Sequence, residues 1–206
     1  ASTLLADDVD WDSKSQKEFL EIISNEADRL SNLVNNVLEL SHIDAGNLTL
    51  SKKLHQIDDL IKNGVSRTYS DQKDQIQINL DDELPAVYVD SQRIEAVIRN
   101  LVENAIKYSG NPAVVKISST QKNGSVVVKV EDNGPGIPEQ QQDIVFNSFY
   151  RLENELSRRV QGAGLGLAIC KGFIKAHGGE IWVEPKEHGT CIAFSIPLTD
   201  FNDVYT

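Results

Sequence analysis

The sequence predicts an α+β domain, residues 47–206, preceded by a truncated helical hairpin, residues 1–46. Two observations predict it. Apolar residues over 13–45 recur with the period of a helix, and after Gly46 short β-rich runs alternate with helical ones. The composition is that of a globular chain: 206 residues, 40% hydrophobic and 25% charged, enough to bury a core unaided.

The elements follow in order. Phe19, Ile23, Glu26, Leu30, Leu33, Val37 and Leu40 keep the 4-3-4-3-4-3 spacing of a coiled-coil seam. Ser13 or Ser15 serves as the cap, and Gly46 as the stop. One long helix cannot bury such a seam alone, so it calls for partner helices; the alternative is an amphipathic helix packed on its own domain. Residues 1–8 read as the stub of one, and the chain reads as a piece of a longer protein. Residues 47–53 form a polar connector with a small strand, and 56–69 a helix. Strands follow over 75–80 and 86–89, then a helix over 91–108 capped by Asp90 or Ser91. The runs 114–119 and 126–131 flank Lys122-Asn123-Gly124, a hairpin signal. Residues 132–138 make a Gly/Pro loop, 139–145 a short helix, 152–164 a mobile loop, and 165–177 a helix stopped by Gly178-Gly179. Paired strands over 180–183 and 190–196 close the domain.

The net charge of −11 is uneven: residues 1–50 carry 10 acidic and 3 basic side chains, residues 51–206 carry 21 and 17. An acidic chain repels phosphate backbones, which disfavours nucleic acid as a partner. No apolar run approaches the roughly 20 residues of a membrane span, and nothing reads as a signal peptide. Cys170 and Cys191 form neither a CxxC pair nor a zinc set, and read as reduced thiols of an intracellular protein.

Three constellations carry chemistry. On the helix 91–108, Asn100, Asn104, Lys107 and Tyr108 fall within about one quadrant at 100° per residue. Ile94, Val97, Ile98, Leu101 and Ala105 form the adjoining apolar face. Amide oxygens can ligate Mg2+, amide N–H groups can donate to phosphate oxygens, and a lysine can neutralise a phosphate. Second, a β-rich run ends in Asp132-Asn133-Gly134-Pro135-Gly136-Ile137-Pro138. Its glycines let backbone approach a flat ligand, and Asp132 can accept from an exocyclic amine such as that of adenine. Third, Gly162-Ala163-Gly164-Leu165-Gly166-Leu167 leads into a helix, whose free N–H groups suit phosphates. The third glycine comes too early for a dinucleotide fingerprint, and no Gly-Lys-Ser/Thr makes it a Walker loop. Each motif alone is also what a polar helix face or a tight loop looks like.

In order and spacing the three together resemble the sensor histidine kinases of bacterial two-component systems. The segment from Asn100 to Tyr108 resembles the N box, and that from Asp132 to Ile137 the first glycine box. Phe146-Asn147-Ser148-Phe149-Tyr150-Arg151 resembles the F box, and the segment from Gly162 to Leu167 the second glycine box. His177-Gly178-Gly179-Glu180-Ile181 matches the segment that usually follows, and 13–45 resembles the second helix of the dimerisation and phosphotransfer domain.

The resemblance implies a Bergerat-type ATP-binding two-layer sandwich, a mixed sheet with helices on one face. It implies a kinase that binds ATP with Mg2+ and passes the γ-phosphoryl group to a histidine, for relay to a response regulator receiver domain. By position, Asn104 with Asn100 would hold Mg2+, Lys107 and Tyr108 would line the phosphates, and Arg151 would reach the γ-phosphate. Asn100, Lys107 and Arg151 make the implied catalytic set. Asp132 would hold the adenine amine, with Gly134, Gly136 and Ile137 shaping that wall. Gly162, Gly164, Leu165, Gly166 and Leu167 would form the lid hinge and its phosphate-facing N–H groups. ATPases of the same superfamily resemble one another in placing a Glu one turn before the metal-binding Asn. Here that residue is Asn100, which takes no proton at neutral pH, so transfer is favoured over hydrolysis. The alternative class is a binding module that dimerises or docks a regulator without turnover.

One departure stands out. The family's acceptor His, followed by an acidic residue and then Thr-Pro, is not found; the histidines are His42, His55, His177 and His188. The expectation is therefore a chain that binds ATP without phosphorylating itself. It is further expected to be a homodimer through 13–45, cytoplasmic, and to meet a membrane only through segments of its parent.

Overall fold

The computed structural model describes residues 12–66, 75–81, 83–152 and 162–198. The seam over 13–45 forms one helix, α1 (Ser13–Asp44). Its cap is Asp12, not Ser13 or Ser15: the Asp12 carboxylate accepts from the N–H groups of Lys14 and Ser15. A carboxylate just outside the first turn satisfies two free donors together, and Ser15 Oγ only adds a bond to it. Gly46 ends the helix in the left-handed region, at φ 68°. No residue of α1 is buried.

After the connector come β1 (Lys53–His55), α2 (Ile57–Ser66), β2 (Ile76–Leu80), β3 (Val87–Val89) and α3 (Ser91–Tyr108). Of the two expected caps for α3 it is Asp90 that serves, accepting from Gln92 and Arg93 N–H. The hairpin signal holds: β4 (Val115–Lys122) and β5 (Ser125–Asp132) turn through Asn123 and Gly124, both at positive φ. Residues 139–145 do not make a helix. Two separate 3₁₀ turns, Glu139–Gln141 and Ile144–Phe146, take their place. The run is too short and too polar at its centre to bury one face of a helix. The last elements are α4 (Gly166–Ala176), β6 (Ile181–Val183) and β7 (Cys191–Pro197).

The main sheet has strand order β2-β4-β5-β7-β6, with β2 parallel to β4 and every other pair antiparallel. β1 and β3 form a separate two-stranded ribbon. Val126, Val128 and Val130 of β5 and Ile192, Phe194 and Ile196 of β7 face one core with Ile94, Val97, Ile98 and Leu101 of α3 and Ile169, Phe173 and Ile174 of α4. The period of two that buries those valines also puts Asp132 on the helix side. That parity carries a carboxylate from the end of a central strand into the space beneath α3.

Leu33, Leu40 and Ile43 of α1 pack against this same core. A Cβ on Gly172 of α4 would lie 2.6 Å from Ile43 Cγ2, so a larger residue there would force that isoleucine to move. Arg93 pairs with Glu39 and stacks 4.9 Å from the centroid of Phe173. Part of the seam is thus used inside the chain. Leu30, at 55% exposed, and Val37 remain open. His177 ties the helices together: its Nε2 accepts from Asp90 N–H at 3.0 Å, and its Nδ1 lies 2.7 Å from the Phe173 carbonyl. Burial holds that imidazole below its ordinary range.

Candidate functional site

A cleft of about 830 Å³ opens between α3, the loop after β5 and the N-terminus of α4. On α3 the buried stripe turns Asn100, Asn104, Lys107 and Tyr108 to the cleft wall. Lys107 also lies 3.8 Å from Glu103, one turn back on the same wall. Asp132, Gly136 and Ile137 line the opposite wall, and Arg151, Gly162, Gly164, Leu165, Gly166 and Leu167 line the mouth. Gly134 sits against Asp132, outside the lining: it donates its N–H to Asp132 Oδ1 at 2.8 Å. Every other sequence-predicted site residue borders this one cleft. The loop expected over 152–164 falls largely on residues 153–161, which lie outside the described residues.

Asp132 is buried and well held. Thr190 N–H donates to its Oδ1 at 3.1 Å, alongside Gly134. Burial pushes the carboxyl above its usual range, and those two N–H groups offset only part of the rise. The glycines here are steric necessities. A Cβ on Gly134 would stand 2.1 Å from the Tyr108 carbonyl, and one on Gly189 would stand 1.9 Å from the Asp132 carbonyl. Gly164 adopts φ 71° and receives the N–H of Phe149 on its carbonyl at 2.9 Å, joining the F-box-like segment to the cleft mouth.

The N-terminus of α4 begins at Leu165 with no side-chain cap, so its first N–H groups are left to a ligand or solvent. A Cβ on Gly166 would lie 2.3 Å from Asn100 Oδ1. The amide of Asn100 therefore fills a notch that only glycine leaves open. Among the described residues no group of three His, Cys, Asp or Glu side chains stands ready for a metal. The amide oxygens of Asn100 and Asn104 suit a hard cation such as Mg2+, which takes few protein ligands and completes its shell from phosphates and water. Cys170 and Cys191 are free, buried and pushed up to about 12 by burial, which keeps them as unreactive thiols.

Sequence reasoning missed Thr190, Gly189, Val130 and Ile192. Thr190 reads only as the start of a strand. Its place beside Asp132 comes from the pairing of Glu131 with Cys191 across β5 and β7, for which no local signal exists. It also missed α1 as a wall: Glu26, Arg29, Leu30, Asn32, Leu33 and Asn36 border the same cleft.

A family model described as histidine kinase-, DNA gyrase B-, and HSP90-like ATPase matches residues 89–200, and one described as His Kinase A (phospho-acceptor) domain matches residues 1–46. The chain belongs to the histidine kinase-, DNA gyrase B- and HSP90-like ATPase family. Within it, its relatives are sensor histidine kinases. It is 33% identical over 196 residues to sensor histidine kinase WalK of Bacillus subtilis, which covers 92% of this chain and 32% of that protein. It thus spans about a third of that relative. Full-length ShkA in complex with AMPPNP superposes with a TM-score of 0.74 at 25% identity, covering 92% of this chain and 40% of that one. Histidine kinase ThkA in complex with response regulator protein TrrA gives a TM-score of 0.72 at 30% identity, covering 94% of this chain and 54% of that one. No helix of the described residues is long and apolar enough to cross a membrane.

Proposed function

We propose that this chain is the nucleotide-binding kinase part of a two-component sensor histidine kinase, with residues 47–206 as the catalytic domain and 1–46 as part of the dimerisation and phosphotransfer domain. The observation that carries the reading is convergence. Asn100, Asn104, Lys107 and Tyr108 of α3 meet Asp132 and Gly136 from the sheet and the uncapped start of α4 across one cleft. Asp132 receives the exocyclic amine of adenine, with Gly136, Ile137 and Thr190 forming the wall of that pocket. Lys107, Tyr108 and the N–H groups at Gly164, Leu165 and Gly166 hold the phosphates, and Arg151 reaches the γ-phosphate. Asn104 and Asn100 hold Mg2+, which when bound offsets negative charge on the phosphates.

Phosphoryl transfer is mostly positioning and charge stabilisation, and it needs a nucleophile in line with the γ-phosphate. Asn100 cannot remove a proton from water, so the cleft suits transfer to an imidazole better than hydrolysis. The acceptor is a histidine outside residues 1–206, because His42, the only one in the phosphotransfer segment, lies in the last turn of α1 without an acidic neighbour beside it. The phosphoryl group then passes to an aspartate of a response regulator. The open residues of α1, Leu30 and Val37 among them, meet a second copy around a two-fold axis. The site is cytoplasmic, and the acidic charge of the chain disfavours nucleic acid as a partner.

Calorimetry with ADP and Mg2+ tests the reading directly. Stoichiometric binding that Asp132→Ala weakens by about five- to a hundredfold supports it. A folded protein that takes up no nucleotide overturns it.

A further inference from the structure

We infer that Asn133 is a positioning residue, which sets the span between the phosphate end and the base end of the cleft. The inference rests on the nucleotide reading above. The two ends come from strips far apart in sequence: Lys107 and Tyr108 at the close of α3, and Asp132 at the close of β5. A ligand that touches both needs their spacing held, and the connector between α3 and β4 runs past the loop after β5.

Asn133 rivets that connector. Its Oδ1 accepts from Val114 N–H at 3.0 Å, and its Nδ2 donates to the Pro112 carbonyl at 2.9 Å. A planar amide with an acceptor and a donor on opposite corners reads a backbone N–H and a backbone C=O two residues apart. The backbone carries the same lock. A Cβ on Gly110 would lie 3.3 Å from the Asn133 carbonyl, and one on Gly134 would lie 2.1 Å from the Tyr108 carbonyl. The connector and the loop are thus interleaved on both sides of Asn133, while Gly134 N–H holds Asp132 Oδ1 at 2.8 Å. Asn133 itself is exposed and does not border the cleft, so it acts by setting the reach of Lys107 from the base end at Asp132 rather than on the ligand. Aspartate would keep the acceptor and lose the donor. Glutamine would keep both, one methylene too far out.

The test is a double-mutant cycle on ADP affinity, read by calorimetry with Mg2+ present. Asn133→Ala, Lys107→Ala and the double variant are compared with the wild type, and Asn133→Gln serves as the reach control. Asn133→Ala is expected to weaken ADP about three- to tenfold, the scale of one or two hydrogen bonds. In the Lys107→Ala background the same substitution is expected to change affinity less than twofold, because the contact it positions is already gone. Asn133→Gln behaves like Asn133→Ala, and melting temperatures stay close to wild type because no core side chain is touched. An equal factor in both backgrounds, no effect in either, or wild-type affinity in Asn133→Gln overturns the positioning role. Wild-type protein that fails to bind ADP overturns the nucleotide reading instead.

Discussion

Gly166→Ala separates a structural glycine from one that serves the site. In the interior of a helix alanine outranks glycine by about 0.8–1 kcal/mol, an upper bound for Gly166, which is the first residue of α4 and has no positive φ. On backbone grounds alone the substitution is neutral to stabilising. The new Cβ, however, would lie 2.3 Å from Asn100 Oδ1, 3.1 Å from its Cγ and 3.3 Å from its Nδ2. The amide must withdraw by about 1 Å to reach ordinary contact distances. Turning it off its rotamer costs about 0.5–1.5 kcal/mol, which nearly cancels the helical gain. The melting temperature should therefore move by less than about 4 °C. Nucleotide affinity should fall by about ten- to a hundredfold, since a hydrogen bond to a charged group contributes about 1.5–3 kcal/mol. Differential scanning calorimetry and titration with ADP and Mg2+ read the two effects separately. In an Asn100→Ala background the clash disappears, so adding Gly166→Ala should cost no further affinity. A Gly166→Ala protein that binds as tightly as wild type would refute the reasoning that Asn100 must occupy that notch.

Other outcomes follow from the same contacts. Asp132→Asn keeps the shape and leaves its amide oxygen on the Gly134 and Thr190 N–H groups, which both donate to Oδ1, so its NH2 takes the place of Oδ2 and meets the adenine amine donor to donor; ADP affinity should fall at least fivefold, and calorimetry that finds no change removes the adenine role. Burial favours the neutral imidazole of His177 in the fold while the unfolded chain takes up a proton near pH 6.5, so stability should be full above that pH and fall as pH drops below it. Urea midpoints at pH 8 and pH 5.5 measure this, and the part due to His177 should vanish in His177→Gln. Glu39→Ala and Arg93→Ala should be non-additive in urea unfolding by less than about 1 kcal/mol, because the pair is about a third exposed. Full additivity would show that the ion pair does not hold α1 to the domain. Incubation with γ-labelled ATP should leave no acid-labile phosphate on the chain, and label on His42 would refute the placement of the acceptor elsewhere.

Where a signal is local, the sequence carried it. The heptad over 13–45, the Asn-Gly turn before Ser125 and the strong cap at Asp90 each lie within a few residues of the structure they produce. The same holds for the site strips. Asn100, Asn104, Lys107 and Tyr108 share a helix face by arithmetic alone, and Asp132 with Gly134 and Gly136 announces a close backbone approach. The cap of α1 was not read correctly: Ser13 and Ser15 were expected, and Asp12 beside them serves, because its carboxylate takes two N–H groups together. What tertiary structure alone decided is everything that depends on pairing across long separations. β5 and β7 are far apart in the chain, yet their register sets Thr190 on Asp132 and presses Gly189 against its carbonyl. His177 could be seen as a motif residue, but not as the link from α4 to the cap of α3. The seam of α1 read first as a surface for other helices, and folding turned part of it onto its own domain through Leu33 and Leu40, the alternative its period left open. Periodicity reports which face of an element is apolar. Which partner covers that face is settled by the packing of the whole chain, where burial is shared among residues that no local window contains.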